Sequence, residues 1–469
     1  MSDDFPGTEG RPVRVAVVGS GPAGFYTIAA LFKQADFPLQ VDLFDRLPTP
    51  FGLVRGGVAP DHPKIKGVIR VYDKLAGKDN FRFFGNVRIG RDLSVAELQE
   101  HYDQIVFATG NEAWRNLGIP GEDLAGVHSA TEFVGWYNGH PDFRDLTFDL
   151  ENARRVIVVG NGNVAMDVTR ILAEDPKRLE TTDIAEHALE VLRKSRVEEI
   201  LILGRRGPAQ AAFTNKEIKE IGGLSSADLI VDPADMELDG VTRRWMTEHT
   251  TSQMTKNVDY LTEHSRQEPK GAGKRVELRM LVSPVEFHES DGRLGSVVIE
   301  KNELFESEDG TPRPRGSGVR SVEEIQLSFS AVGYRGLPVP GVPFNERRGL
   351  LANQNGRIWD PDSEKAVTGL YTTGWAKRGP TGLIGSNVAD ANETVERMLE
   401  DLRCRHTQPT QKPDGQAIGA LLKTRGVDRV TYADWRRLDA MELERGSKNG
   451  KIREKFTRID EMMSALRED

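Results

Sequence analysis

At 469 residues, 38% hydrophobic and 29% charged, the chain is globular and too long for a single ordinary core, so two or more domains are expected. A net charge of −9 argues against general nucleic-acid binding, and no apolar run reaches the roughly 18 residues of a membrane span. The only cysteine, Cys404, leaves no internal redox disulfide and no iron–sulfur cluster on four Cys ligands, so any electrons must leave by another carrier.

The chain opens on MSDDFPGTEG, acidic and polar, without the basic and apolar regions of a signal peptide. A cytoplasmic location is the expectation. Val13–Val18 then reads as a strand buried on both faces, followed by Gly19, Gly21 and Gly24 at G-x-G-x-x-G spacing and an apolar helix over Phe25–Phe32. Gly19 permits the turn, Gly21 lets backbone approach a pyrophosphate, and Gly24 lets helix pack on strand. The helix start offers free N–H groups and a positive dipole end. Leu39–Phe44 is a second strand, and Asp45 closes it where a ribose-binding acid belongs.

Pro48–Lys64 lacks a helical period and reads as a loop, yet it carries Phe51, Leu53, Val54 and Val58. So apolar a loop is expected to lie against the dinucleotide. His62 sits in it, and a lone histidine there can be structural or catalytic. A helix is expected over Ile65–Leu75, short strands over Phe81–Phe84 and Val87–Ile89, and a helix over Val95–His101. A strand over Gln104–Thr109 then runs into Gly110 and ends one parallel sheet.

The opening device returns at Arg155–Ala165: strand Val156–Val159, then Gly160, Asn161, Gly162, Asn163 and Val164, with Ala165 in the third glycine place, and a helix over Val164–Ala173. A helical insertion near Ile184–Arg196 delays the next strand to Ile200–Leu203, which ends in Gly204, Arg205 and Arg206 rather than an acid. A carboxylate there would repel a 2′-phosphate, whereas arginines bind it. The first site therefore reads as FAD, with Asp45 on its ribose, and the second as NADP.

Ser225–Gly273 reads as mixed helix and loop around Met246–His264. Strands are expected over Arg275–Val282, Leu294–Glu303 and Glu324–Val332, with a mobile hairpin loop over Glu306–Ser317. A last strand, Leu370–Thr373, closes on Gly374 and Trp375, then the glycine-rich turn KRGPTGLIGSN precedes a helix over Val388–Leu402. The 409–415 stretch is a short low-complexity candidate, and Trp435–Arg458 reads as a basic helix.

The segments PFGLVRGGVAPDHP, GNGNVAMDV, Gly204-Arg205-Arg206 and GWAKRGPTGLIGSN together resemble adrenodoxin-reductase-type ferredoxin–NADP reductases over nearly the whole chain. The resemblance implies an α/β, glutathione-reductase-like fold of two Rossmann-like domains. An FAD domain, residues 1–114 and 336–469, would be split by an NADP domain, residues 115–335. By the same resemblance FAD contacts fall on Ala23, Asp45, Leu53, Val87, Trp375 and Gly382, Leu383 and Ile384. NADP contacts fall on Arg115, Asn161, Gly162, Asn163, Val164, Arg205, Arg206, Glu217 and Gly382. Two places depart from the family pattern: Asp45 stands where Glu is usual, and Ser386 where Thr is common.

The implied activity is that of a ferredoxin–NADP(+) reductase, hydride in and single electrons out, a task flavin suits. The implied partners are NADPH and an acidic ferredoxin-type iron–sulfur protein, with no metal, and the chain is expected to be a monomer without membrane or nucleic-acid partners. Trp375 is expected near the approaching nicotinamide. His62 and Asp167 are candidate proton-relay groups, although Asp167 equally suits an acid in a helix's first turns. The single cysteine excludes a disulfide reductase. An NADPH oxidase, quinone or diaphorase-type reductase stays open, and an electron-relay subunit would need cluster cysteines that are missing.

Overall fold

The computed structural model describes residues 5–407, 410–412 and 414–468. Its organising strand is Val13–Val18, buried at every position. Leu39–Phe44 lies parallel beside it, Val13 opposite Leu39 and Val18 opposite Phe44. With Phe81–Phe84, Gln104–Phe107 and Lys365–Thr372 these make the parallel part of a seven-stranded sheet, extended by antiparallel Arg357–Asp360 and Asn353–Gln354. This sheet thus takes strands from both ends of the chain. Alternation along the first strand feeds two cores: Val13, Val15 and Val17 on one face, Ala16 and Val18 on the other. Helices Pro22–Gln34 and Asn387–Arg403 cover the first face.

The second sheet is six-stranded and wholly parallel, in the order Val127–Ser129, Leu327–Ser330, Arg155–Val159, Glu199–Leu203, Lys274–Arg279, Ala227–Val231. Parallel strands need both faces covered. Helices such as Asn163–Ala173 cover one face, and an antiparallel sheet of Val282–Ser290, Arg293–Glu306 and Pro312–Glu324 covers the other through Phe287, Val297 and Ile299. The chain passes between the sheets at two short strands that pair with each other, Ala113–Trp114 and Tyr334–Arg335. This is the two-Rossmann α/β architecture that the sequence implied. No helix among the described residues is long and apolar enough to cross a membrane.

Several elements differ from expectation. The 48–64 loop contains a helical turn, Leu53–Gly56. The helix expected over 65–75 breaks at Gly67 into Pro63–Lys66 and Ile69–Ala76. Residues 87–89 form no strand, because Asn86 has φ 58° and the Val87 amide turns back to the Asp45 carbonyl. Ala227–Val231 is an edge strand inside the stretch read as helix and loop. The supposed mobile hairpin loop is largely strand: Gly316 faces Asn302, and the Glu300 carboxylate occupies the space a Cβ would need. The basic helix runs over Tyr432–Lys448 and stops there, so residues 449–458 are a turn at 449–450 followed by irregular chain. The 409–415 stretch lies partly outside the described residues.

Candidate active site

In the first glycine turn, Gly19 has φ +106°, and a Cβ on it would sit 2.4 Å from the Ala108 carbonyl oxygen. A Cβ on Gly24 would sit 2.1 Å from the Gly19 oxygen. Both glycines are demanded by the protein itself. Gly21 is different: its φ is an ordinary −75°, and a Cβ would meet nothing within 4 Å. Gly162 repeats this, with φ −98° and nothing within 4 Å. Each fronts a helix N-terminus that has no side-chain cap. Open space ahead of uncapped N–H groups fits a pyrophosphate, so the residues present suit a dinucleotide at both turns. Ala23 must stay small, because Gly374, at φ +69°, approaches until a Cβ would lie 2.4 Å from the Ala23 methyl.

Asp45 accepts from the Ser20 amide at 3.0 Å, from the Ser20 hydroxyl and from the Leu47 amide at 2.9 Å. Its shorter side chain is thus fixed between the glycine turn and the 45–47 turn. Val87 is buried beneath, and Leu53 stands exposed on its helical turn. At the second turn Asn161 accepts the Ala212 and Phe213 amides through its carbonyl, while the Asn163 side chain accepts the Thr214 amide at 2.8 Å. Both asparagines therefore hold the 211–214 loop, with Val164 beside them packed against the core. Arg205 is exposed and Arg206 half-buried. Burial and the neighbouring Arg205 push Arg206 below its usual pKa. Arg206 donates to the Gln210 carbonyl at 3.4 Å, and among the described residues no carboxylate pairs with either cation, a chemistry that suits a dianion. Arg115 is exposed, its amide donating to the Gly333 carbonyl at 3.0 Å beside the paired connecting strands.

His62, Asp167 and Glu217 come together, around a residue the sequence reading missed. Arg170, with a side chain 3% exposed, reaches Asp61 at 2.5 Å, Asp167 at 2.7 Å, Glu217 at 3.1 Å and Glu220 at 3.8 Å. His62 Nε2 lies 2.8 Å from Glu220 Oε2. His62, Glu217 and Glu220 offer ligand atoms within 4.8 Å of one another, but the Arg170 guanidinium supplies the cation among the carboxylates. Burial pushes Asp167 up despite Arg170, and burial and Asp167 push Glu217 up. For Asp61 and Glu220 burial also opposes ionisation, yet contacts to Arg170 and His62 respectively prevail and hold them down. Carboxyls with opposite displacements in one cluster are equipped to exchange protons. The Tyr137 hydroxyl is buried with no hydrogen-bond partner among the described residues. The missed members had a signal: Asp61 precedes His62, Arg170 follows Asp167 at i+3, and Glu220 follows Glu217 at i+3 on one helix face.

The last strand–turn–helix places Trp375 with Nε1 donating to the Thr381 carbonyl at 3.1 Å and its ring against Tyr334, centroids 5.4 Å apart. Gly382 has φ +78°, and Leu383 and Ile384 follow, Leu383 being 64% exposed. The helix begins at Asn387, after a 3-10 turn over Ile384–Ser386. Ser386 keeps the hydroxyl of the usual Thr and donates it to the Leu383 carbonyl at 2.6 Å. The helix start carries an acid: Asp390 accepts the Gly374 amide, with Lys377 at 3.2 Å and Arg378 at 3.5 Å.

The family profile for pyridine nucleotide-disulphide oxidoreductases matches residues 13–203. NADPH-ferredoxin reductase FprA of Mycobacterium tuberculosis is 42% identical over 462 residues, 97% of this chain and 99% of the relative. Mitochondrial NADPH:adrenodoxin oxidoreductase of Homo sapiens is 42% identical over 468 residues, 98% of this chain and 93% of the relative. The solved structure of Mycobacterium tuberculosis FprA in complex with NADPH superposes with a TM-score of 0.91 at 40% identity, covering 97% of this chain and 100% of that one. Fold and site thus define a flavin- and pyridine-nucleotide-dependent oxidoreductase. The chain belongs to the NADPH-ferredoxin and adrenodoxin reductase family.

Proposed function

We propose that the chain passes electrons from NADPH through FAD to a ferredoxin-type iron–sulfur protein. The observation that carries this is the pair of glycine turns, alike in their open space at Gly21 and Gly162 but unlike beyond the second strand, where one ends in Asp45 and the other in Arg205 and Arg206. The FAD unit is residues 1–114 and 336–469, and the NADP unit residues 115–335. When bound, FAD supplies the conversion of a two-electron donation into single-electron transfers.

The chain's own residues bind, orient and move protons. Gly21, Ala23 and Asp45 would hold the FAD pyrophosphate and ribose, with Val87 beside Asp45, and Leu53 and Gly382–Ile384 would complete the FAD site. Arg205 and Arg206 hold the 2′-phosphate, Asn161–Val164 shape the second pyrophosphate site, and Arg115 lies along it. Trp375, backed by Tyr334, borders the nicotinamide. His62, paired to Glu220, and Asp167, whose carboxyl burial pushes above its ordinary value, carry protons between the site and solvent, with Glu217 in the same cluster. If the flavin lies ahead of the helix Asn387–Arg403, that helix start would favour a developing negative charge by about 0.3–1 kcal/mol, less what the Asp390 carboxylate in its first turn takes away.

The partner is acidic. Arg243 and Arg244 are exposed on the helix Gly240–His249, and Arg244 makes a long contact of 3.6 Å to Glu306. A monomer in the cytoplasm is the state proposed, where the exposed thiol of Cys404 stays reduced. The test compares NADPH-driven rates with ferredoxin, quinone and ferricyanide. Ferredoxin should be the preferred acceptor, with a rate that falls steeply with salt. The change R243E/R244E should raise its KM and leave ferricyanide reduction unchanged. A quinone rate exceeding that with ferredoxin would favour the quinone-reductase reading.

A further inference from the structure

The residues after the helix Tyr432–Lys448 read, as sequence, as the end of a basic helix. Two of their cations instead point inward. Lys451 and Lys455 are only 6% and 5% exposed. Lys455 Nζ sits 3.1 Å from Asp183 Oδ2 and donates to the Asn138 carbonyl at 3.1 Å. Lys66 holds the same Asp183 carboxylate with 2.7 Å bonds to both oxygens. Along the strap, Lys451 reaches Glu186 at 2.6 Å, and the Ile452 amide donates to the Thr181 carbonyl at 3.1 Å. Every one of these partners between 138 and 186 belongs to the part of the chain that builds the six-stranded sheet. The strap itself is anchored on the other side.

That anchor is Glu442, fully buried on the helix Tyr432–Lys448. It takes Arg453 at 2.7 Å, the Phe456 amide at 2.9 Å and Arg55 at 2.8 Å. Arg55 belongs to the turn Leu53–Gly56, next to Leu53. Two glycines make the close passage possible. A Cβ on Gly446 would lie 2.6 Å from the Arg453 backbone, and one on Gly139, at φ +72°, 2.9 Å from the Thr457 methyl. Burial pushes Lys455 down to about 7 against the pull of Asp183.

We infer that residues 451–458 are a positioning element for the reaction: by gripping Asp183 through Lys455 they set the angle between the two dinucleotide units, and with it the stacking of nicotinamide on flavin. The inference rests on the reading of the two units given above. The connecting strands Ala113–Trp114 and Tyr334–Arg335 are two residues each and fix little on their own. Ion pairs that cross between the units at several points hold one orientation, and Arg170–Asp61 is another of them. A buried pair is a weak source of stability but a strong source of geometry, because a displaced charge has no water to turn to. Positional errors near 1 Å at the reacting atoms can cost about a hundredfold in rate.

The test is Lys455→Met, which removes the strap's own hold on Asp183 and leaves that of Lys66, with Lys455→Arg as the conservative control. Three readouts on the FAD-loaded enzyme separate positioning from folding: adenosine 2′,5′-bisphosphate affinity, the stopped-flow rate of flavin reduction by NADPH, and the long-wavelength absorbance of nicotinamide stacked on flavin. Lys455→Met should slow flavin reduction about tenfold or more and weaken the stacking band. The 2′,5′-bisphosphate affinity and FAD content should stay within about twofold, and Lys455→Arg should recover most of the rate. An unchanged reduction rate would overturn the inference, as would a slower rate matched by equal losses of 2′,5′-bisphosphate affinity or FAD. If Lys455→Met does not fold, Glu186→Gln carries the same test with an expected threefold effect, and no effect there overturns it. A wild-type flavin that NADPH cannot reduce would instead sink the functional reading itself.

Discussion

Replacing Gly21 by alanine separates what the fold needs from what the cofactor needs. At φ −75° and ψ −175° alanine is unstrained, and its methyl would touch no protein atom within 4 Å. Without FAD the variant should be as stable as the parent or more so, by about 0.4–1 kcal/mol, since alanine narrows the unfolded ensemble. With FAD the methyl intrudes where backbone and pyrophosphate should meet. Overpacking of that kind costs about 1–3 kcal/mol, a roughly tenfold to hundredfold weaker complex. The assay is FAD affinity by fluorescence quenching, set beside urea unfolding of the apoprotein. Gly162→Ala should do the same to NADPH while leaving FAD untouched. Gly19→Ala is the contrast: at φ +106°, with its methyl 2.4 Å from a backbone oxygen, it should fail to fold. If Gly21→Ala bound FAD as tightly as the parent, or itself failed to fold, the assignment of that open space to a ligand would be wrong.

The double change R205A/R206A should lower kcat/KM for NADPH on the order of a hundredfold, taking about 1.5 kcal/mol for each charge-assisted contact, and barely touch NADH. Equal losses for both would show that the arginines support the fold. A pH effect follows from His187, whose Nε2 has no hydrogen-bond partner among the described residues and whose ring meets Trp136 at 5.5 Å. Burial and Arg144 push it down to about 4. It is neutral in both states above its unfolded value of about 6.5, and below that the unfolded chain takes the proton first. Stability should therefore fall between pH 6.5 and 4, by no more than about 2 kcal/mol for a partly exposed ring. His187→Gln should flatten urea midpoints across that window, and an unchanged pH slope would count against it.

The parts of this molecule that local chemistry dictates were readable in the chain. Val13–Val18 and Leu39–Phe44 have the predicted bounds, because an apolar run buried on both faces and ended by a glycine turn has few alternatives. Asp45, Arg205 and Arg206 stand at strand ends that the glycine spacing locates. What stayed hidden depends on distant partners. Arg170 looks like an ordinary helix arginine until the fold carries Asp61 to it from more than a hundred positions away. Lys451 and Lys455 have the composition of a solvated basic face, and only the turn back over Gly446 buries them. The strand Ala227–Val231 sits in a polar stretch because its neighbour Lys274–Arg279 supplies the pairing.

The central claim, that one chain joins an NADPH site to an FAD site, is tested most directly by the absorbance spectrum of the purified protein under anaerobic conditions. Flavin bands at one FAD per chain should bleach on adding one equivalent of NADPH, far faster than with NADH, and return when oxidised ferredoxin is supplied. A colourless protein that takes up no FAD, or a flavin that NADPH leaves oxidised, would contradict the account.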